Sequence, residues 1–147
     1  MKNLLTVLLI VFSLNGFAQQ KPLVWHTDVN KAINISVQTN KPLFLFFTGS
    51  DWCGWCKRLV KEVFVKPEFA TWATENIVLV ELDFPRRTKL SAELQKQNRE
   101  LGQMFGVRGY PTIWFVTQLG TFFTFRKCSI SGCFTSMVSI RAPRLPL

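Results

Sequence analysis

Apolar residues in this chain occur in two patterns, unbroken runs and runs with helical spacing. Leu43-Phe44-Leu45-Phe46-Phe47 is continuous, which fits a strand buried on both faces, and Ile77-Val78-Leu79-Val80-Glu81-Leu82 reads the same way. Between them, Cys56, Leu59, Val60, Val63 and Phe64 recur at helical spacing, with Lys57, Arg58, Lys61 and Glu62 on the opposite side. That pattern predicts an amphipathic helix with one buried stripe. Segment 27–40 opens on Thr27-Asp28 and carries Val29, Ala32, Ile33 and Ile35, a short helix before Lys41-Pro42. Pro67-Glu68 starts another, running through Trp72. Leu90, Leu94, Leu101, Met104 and Phe105 mark a further helix in a polar stretch. The loop Gly106–Pro111 then leads into the strand Thr112–Val116, and Thr121–Phe125 returns after Gly120 as its hairpin partner. Strands alternating with helices and closing on a hairpin predict an α/β sandwich around a mixed sheet.

The start of the chain has a different character. Lys2 precedes the uncharged run Leu4–Phe12, and Gly16-Phe17-Ala18 places small residues two apart, at the −3 and −1 positions of a cleavage site. A positive start, a short apolar core and a small-x-small ending describe a secretory signal peptide, 1–18, with a mature chain from about Gln19. The apolar run is short of a full membrane span, which argues against a permanent anchor. Stable membrane insertion after signal cleavage is not expected, and the expected location is the periplasm or the exterior.

The 147 residues less this leader suffice for one domain and its core. The formal net charge of +9 raises the question of nucleic acid or an anionic surface as partner. Residues 19–100, however, carry twelve basic and nine acidic side chains interspersed, with no compact basic cluster. Nucleic acid is therefore not an expected partner. After Glu100 no acid follows, while Arg108, Arg126, Lys127, Arg141 and Arg144 do.

Export makes the four cysteines informative, because disulfides persist outside the cytoplasm. Cys53 and Cys56 are spaced C-x-x-C, whereas Cys128 and Cys133 are spaced C-x4-C. The second spacing and the distance between the pairs fit no usual zinc module, so no metal is expected. Lys57 stands where covalent haem attachment needs histidine, and no cofactor is expected. Trp52-Cys53-Gly54-Trp55-Cys56 lies where a buried strand gives way to a helix. The first turn of a helix has unpaired N–H groups and the positive end of the dipole, both of which stabilise a thiolate. Cys53 is placed there and is assigned as nucleophile. Cys56 heads the apolar stripe and is assigned as the buried resolving thiol. A static bridge is the competing reading, although so small a loop constrains little chain entropy.

The strand, Trp52-Cys53-Gly54-Trp55-Cys56-Lys57 and its helix, followed by Gly106-Val107-Arg108-Gly109-Tyr110-Pro111-Thr112 and a strand, resemble the thioredoxin superfamily over residues 24–125. Phe47–Cys56 is most similar to exported bacterial members with a WCxWC centre. The resemblance implies a three-layer thioredoxin-like sandwich over 19–125 and a thiol–disulfide oxidoreductase acting on protein thiols and disulfides. It also implies a membrane electron-transfer partner and a cis Tyr110–Pro111 bond facing the dithiol, beside an extended substrate segment. Trp52 and Trp55 are expected to form an aromatic lip for substrate; packing beneath the loop is the other reading, weightier for Trp52 than for Trp55.

Two departures from the superfamily leave the direction of electron flow open. The strand before the dithiol carries no acid, and Gly54-Trp55 differs from the usual intervening pairs. Asp51 reads more simply as a cap and Glu62 as a solvent-facing residue than as a substitute acid. His26 reads as a surface residue. A non-catalytic binding module on the same fold is the alternative function.

Residues 126–147 form an atypical basic tail. Ile130, Cys133, Phe134, Met137 and Val138 keep helical spacing, but the residues between them are poor helix formers. The composition thus supports at most one short C-terminal helix, where the superfamily has a full one. Truncation or a reading-frame change in the gene would produce such a shift from about Gln118, and a divergent tail with a Cys128–Cys133 bridge would explain it equally.

Overall fold

The computed structural model describes residues 23–117 with their side chains, together with the backbone of strands 121–125 and 140–141. The elements run β1 (Trp25–His26), α1 (Val29–Thr39), β2 (Leu43–Thr48), α2 (Gly54–Leu59) with a π-helical turn (Val60–Phe64), α3 (Pro67–Asn76), β3 (Val78–Asp83), α4 (Ala92–Met104), β4 (Thr112–Val116), β5 (Thr121–Phe125) and β6 (Ile140–Arg141). One mixed sheet has the order β1-β3-β2-β4-β5-β6. The first three strands in that order are parallel to one another, and β4, β5 and β6 each run antiparallel to their neighbours. The expected hairpin is present, with Ile113 opposite Phe125.

All six residues of β2 are buried, because helices cover both faces of the sheet. Leu43, Leu45 and Phe47 point into one core with Val29 and Ala32 of α1, Leu101 of α4, and Val78, Val80 and Leu82 of β3. Phe44 and Phe46 point into the other, with Cys53, Cys56, Phe64, Ala73 and Leu79. The result is the expected three-layer sandwich. Phe64 is the hub of the second core, its ring centroid 5.0–5.7 Å from those of Trp25, Phe44 and Phe46 and 4.9 Å from that of Phe69.

The helix ends follow local chemistry. The Asp28 carboxylate accepts N–H bonds from Asn30 and Lys31, and the Ser91 hydroxyl accepts from the Leu94 N–H. Pro67 sits in the first turn of α3, where its missing N–H costs nothing. The helices of segments 27–40 and 90–105 become α1 and α4, while the one expected to end at Trp72 continues to Asn76.

One expectation needs correction. The stripe Cys56-Leu59-Val60-Val63-Phe64 is not buried along its length: Cys56 and Phe64 are, but Val60 and Val63 are 36% and 39% exposed. The helix widens at Val60, where the Val65 N–H reaches back five residues to the Val60 carbonyl. That wider turn changes the angular spacing and sends both valines outward. The sheet also extends past residue 125, because β6 pairs with β5 through Thr121 opposite Arg141 and Phe122 opposite Ile140. The leader, Cys128, Cys133 and the rest of the tail lie outside the described residues. Among the described residues, no helix is long and apolar enough to cross a membrane.

Candidate active site

The chain leaves β2 at Thr48 and turns through Gly49, whose carbonyl accepts the N–H groups of Trp52 (3.3 Å) and Cys53 (2.8 Å). Glycine is required at 49, since a Cβ there would lie 2.5 Å from the Trp52 ring. Cys53 caps α2, and its Sγ accepts the Cys56 N–H at 3.1 Å. The two cysteines form a disulfide, with Cα atoms 5.3 Å apart. Cys53 is 6% exposed and Cys56 1%, so Cys53 is the more exposed of two enclosed residues. After reduction, the N–H that already faces Cys53 Sγ is a ready donor to a thiolate, and Cys56 has no comparable exposure.

The second loop comes to the same place. Tyr110–Pro111 is cis, as the resemblance implies. The Tyr110 ring lies edge-on to Trp52 at 5.6 Å and tilted on Phe84 at 5.2 Å, and burial pushes its hydroxyl pKa upward. The Trp52 indole N–H donates to the Phe84 carbonyl at 2.8 Å, so this tryptophan packs among three loops. Trp55, by contrast, is 67% exposed, with the Arg58 guanidinium 5.7 Å from its ring. The structure therefore brings Cys53, Cys56, Trp52 and the Tyr110-Pro111 pair together and turns Trp55 to solvent.

Neither acid near the motif serves the dithiol. The Asp51 carboxylate accepts the backbone N–H groups of Arg86, Arg87 and Thr88 at 2.6–3.2 Å. These bonds, that of Arg87 foremost, hold its pKa below the ordinary 3.8. Asp51 thus caps the loop after β3, tying it to the active-site turn, and the Lys57 ammonium donates to the Asp51 carbonyl at 3.0 Å. Glu62 is exposed and pairs with Arg58 at 2.8 Å. His26 lies on the edge strand β1.

Two features were not read from the sequence. Glu81 is opposite Phe46 in the β2–β3 register and so shares the sheet face of the second core. Burial, and then the charge of Asp83, push its carboxyl above the usual 4.5. The lone charge within Ile77–Leu82 was the available signal. The other feature is Arg86, whose guanidinium lies 4.0 Å from the centroid of the Trp52 ring, within cation–π distance. Nothing local in the sequence foretells that contact across 34 residues. No cluster able to hold a metal ion occurs among the described residues.

A thioredoxin-like domain profile matches residues 29–126. Disulfide bond reductase DsbH of Chlamydia pneumoniae is 37% identical over 90 residues, 61% of this chain and 54% of that protein. Thioredoxin-related protein DsbJ of the same organism is 33% identical over 89 residues, 60% of this chain and 26% of that protein. The chain thus spans about half of one of these curated relatives and a quarter of the other. A solved DsbH oxidoreductase superposes with a TM-score of 0.62 at 33% identity, covering 70% of this chain and 74% of that one. A thioredoxin from Thermus thermophilus, at 18% identity and a TM-score of 0.52 over 78% of this chain and 76% of that one, shares the fold.

Proposed function

Because the chain belongs to the thioredoxin-like family, we propose that it is a thiol–disulfide oxidoreductase that exchanges the Cys53–Cys56 pair with protein substrates. The observation that carries this reading is Cys53 at the start of α2, a residue more exposed than Cys56 and with its sulfur accepting the Cys56 N–H. In the reduced protein the Cys53 thiolate attacks one sulfur of a substrate disulfide. The S–S bond breaks, a mixed disulfide forms, and the other substrate sulfur leaves as a thiolate that takes up a proton. Cys56, as thiolate, then attacks Cys53 Sγ, closing the protein disulfide and expelling the second substrate sulfur, which is protonated in turn. Two electrons pass from the protein dithiol to the substrate disulfide.

The reducing direction is proposed because a relative sharing 37% identity carries the name disulfide bond reductase. A membrane-bound dithiol donor is the proposed partner that returns the pair to its reduced form. Export is proposed on the leader-like residues 1–18. Trp55 is proposed to grip substrate through its exposed ring. Tyr110 and Pro111 are proposed to border the substrate strand, Pro111 having no N–H to compete for it. Trp52 takes part by holding the site together.

The test is disulfide reduction with insulin as substrate. Cys53→Ser is expected to reduce turnover to background, whereas Cys56→Ser accumulates a mixed disulfide visible on a non-reducing gel. A Cys53→Ser variant that keeps full turnover would refute the assignment. Equilibration with glutathione is expected to place the pair near the reducing end, roughly −270 mV, far from the roughly −120 mV of a strong oxidant.

A further inference from the structure

Between the loop after β3 and α4 lies a cleft of about 320 Å³, linked to the active-site turn by Phe84 and Arg86, which both contact Trp52. Its lining includes Arg86, Lys89 and Arg99, all exposed, with Asp83 and Asn98 at its inner side. Both inner groups are already engaged. Asp83 accepts the N–H and hydroxyl of Ser50 at 2.8 and 2.5 Å, and the Asn98 amide donates to the Asp83 carbonyl at 2.8 Å. Among the described residues, no carboxylate lies within ion-pair distance of Arg86, Lys89 or Arg99, and the only ion pairs are Arg58–Glu62 and Lys96–Glu100. The three cations therefore line the cleft without an ion-pair partner and outnumber Asp83, the one carboxylate in its lining.

Arg86 is also held in place. Asp51 fixes the backbone of Arg86, Arg87 and Thr88, and the Arg86 guanidinium stacks on Trp52, the residue preceding Cys53. Stacking occupies one face of the guanidinium and leaves its edge donors to a carboxylate. A charge ordered in this way loses less conformational entropy on binding than a freely moving side chain.

We propose that this cleft is a substrate subsite taking an acidic peptide segment that flanks the disulfide attacked by Cys53. Arg86, stacked on the residue that precedes Cys53, is the main specificity determinant, with Lys89 and Arg99 extending the positive path. The proposal rests on the oxidoreductase reading and adds to it a class of substrate.

The test compares two synthetic peptides with the same disulfide-closed loop, one flanked by three aspartates and the other by three lysines, as substrates of the reduced full-length protein. At low salt the acidic peptide is expected to have the higher kcat/KM, by roughly three- to tenfold for partly screened charge pairs. The preference should shrink at about 0.5 M salt, where the screening length is only a few ångströms. Arg86→Gln with Lys89→Gln is expected to bring the two peptides close to parity, and Arg86→Glu with Lys89→Glu to reverse the order. Arg87→Glu, which changes the same loop's charge outside the cleft, is expected to keep the preference. No preference in the parent protein, a preference that survives the double charge reversal, or one lost equally in Arg87→Glu overturns the proposal. If neither peptide is turned over, the oxidoreductase reading is what has failed. Binding of a labelled, cysteine-free aspartate peptide then decides the cleft. Weakening of that binding by the double reversal supports the subsite, and absent or unchanged binding overturns it.

Discussion

Glu81 stands opposite Phe46, which is almost completely buried, on a strand whose buried residues are all aliphatic. Partial loss of water, with the charge of Asp83 two residues on, favours the protonated carboxyl in the folded chain over the unfolded one. A folded-state value above the unfolded one contributes stability below the unfolded value near 4.5, and that contribution is lost as pH rises through the folded value. At pH 7 the charged form therefore costs stability. Glu81→Gln is expected to melt higher than the parent protein at pH 7, by roughly 1–3 °C. The advantage should disappear in melts carried out below the unfolded value, where both side chains are neutral. An unchanged melting difference across that range would mean that Glu81 is solvated in the folded state. At the same scale Asp51 is the cap that its position suggested, although what it caps was not legible. Its place beside the dithiol is evident, but its partners are three amides 35–37 residues away, and backbone N–H groups leave no residue-type pattern to read.

At the scale of elements, legibility followed length and periodicity. β2 and β3 were readable because a strand covered on both faces is mostly apolar, β4 because Ile113–Val116 is an unbroken apolar run after a loop, and the C-x-x-C pair because its position at a strand-to-helix junction is itself the chemistry. β1 and β6, at two residues each, are too short to display any period. The π-helical turn was hidden for another reason. Val60 and Val63 suit an α-helical stripe equally well, and only the register in which Cys56 and Phe64 are both buried selects the wider turn. The active-site turn depends on Gly49 in a way that can be measured. An added Cβ at 2.5–2.8 Å from three atoms of the Trp52 ring forces the indole to move. Movement strains the Trp52–Phe84 hydrogen bond and the Arg86 stack together. Gly49→Ala is expected to cost roughly 1–3 kcal/mol in chemical denaturation, from overpacking and a weakened buried hydrogen bond. Unaltered stability would show that the ring has free space to shift into.

For the molecule as a whole, the sheet separates two cores with different relations to the chemistry. Phe64 and the aromatic rings around it press the helix bearing Cys56 onto β2, whereas Leu101 belongs to the opposite core with α1 and β3. Both are buried, at 5% and 8% exposure, so truncating either to alanine is expected to destabilise the fold on a similar scale, about 3–5 kcal/mol for Phe64 and about 2–5 for Leu101. Their effects on the site should differ. Phe64→Ala loosens the seating of α2, so the Cys56 N–H is less firmly aimed at Cys53 Sγ and the thiolate loses part of its stabilisation. Leu101→Ala opens space behind the sheet and leaves that geometry standing. With both variants reduced and studied well below their melting temperatures, alkylation of Cys53 by iodoacetamide at pH 7 is expected to slow in Phe64→Ala and to match the parent rate in Leu101→Ala. Equal slowing in both would mean that thiol reactivity follows global stability. Slowing in Phe64→Ala alone ties it to the aromatic core beneath the dithiol, and so to how one face of the sheet, rather than the fold at large, sets the chemistry at Cys53.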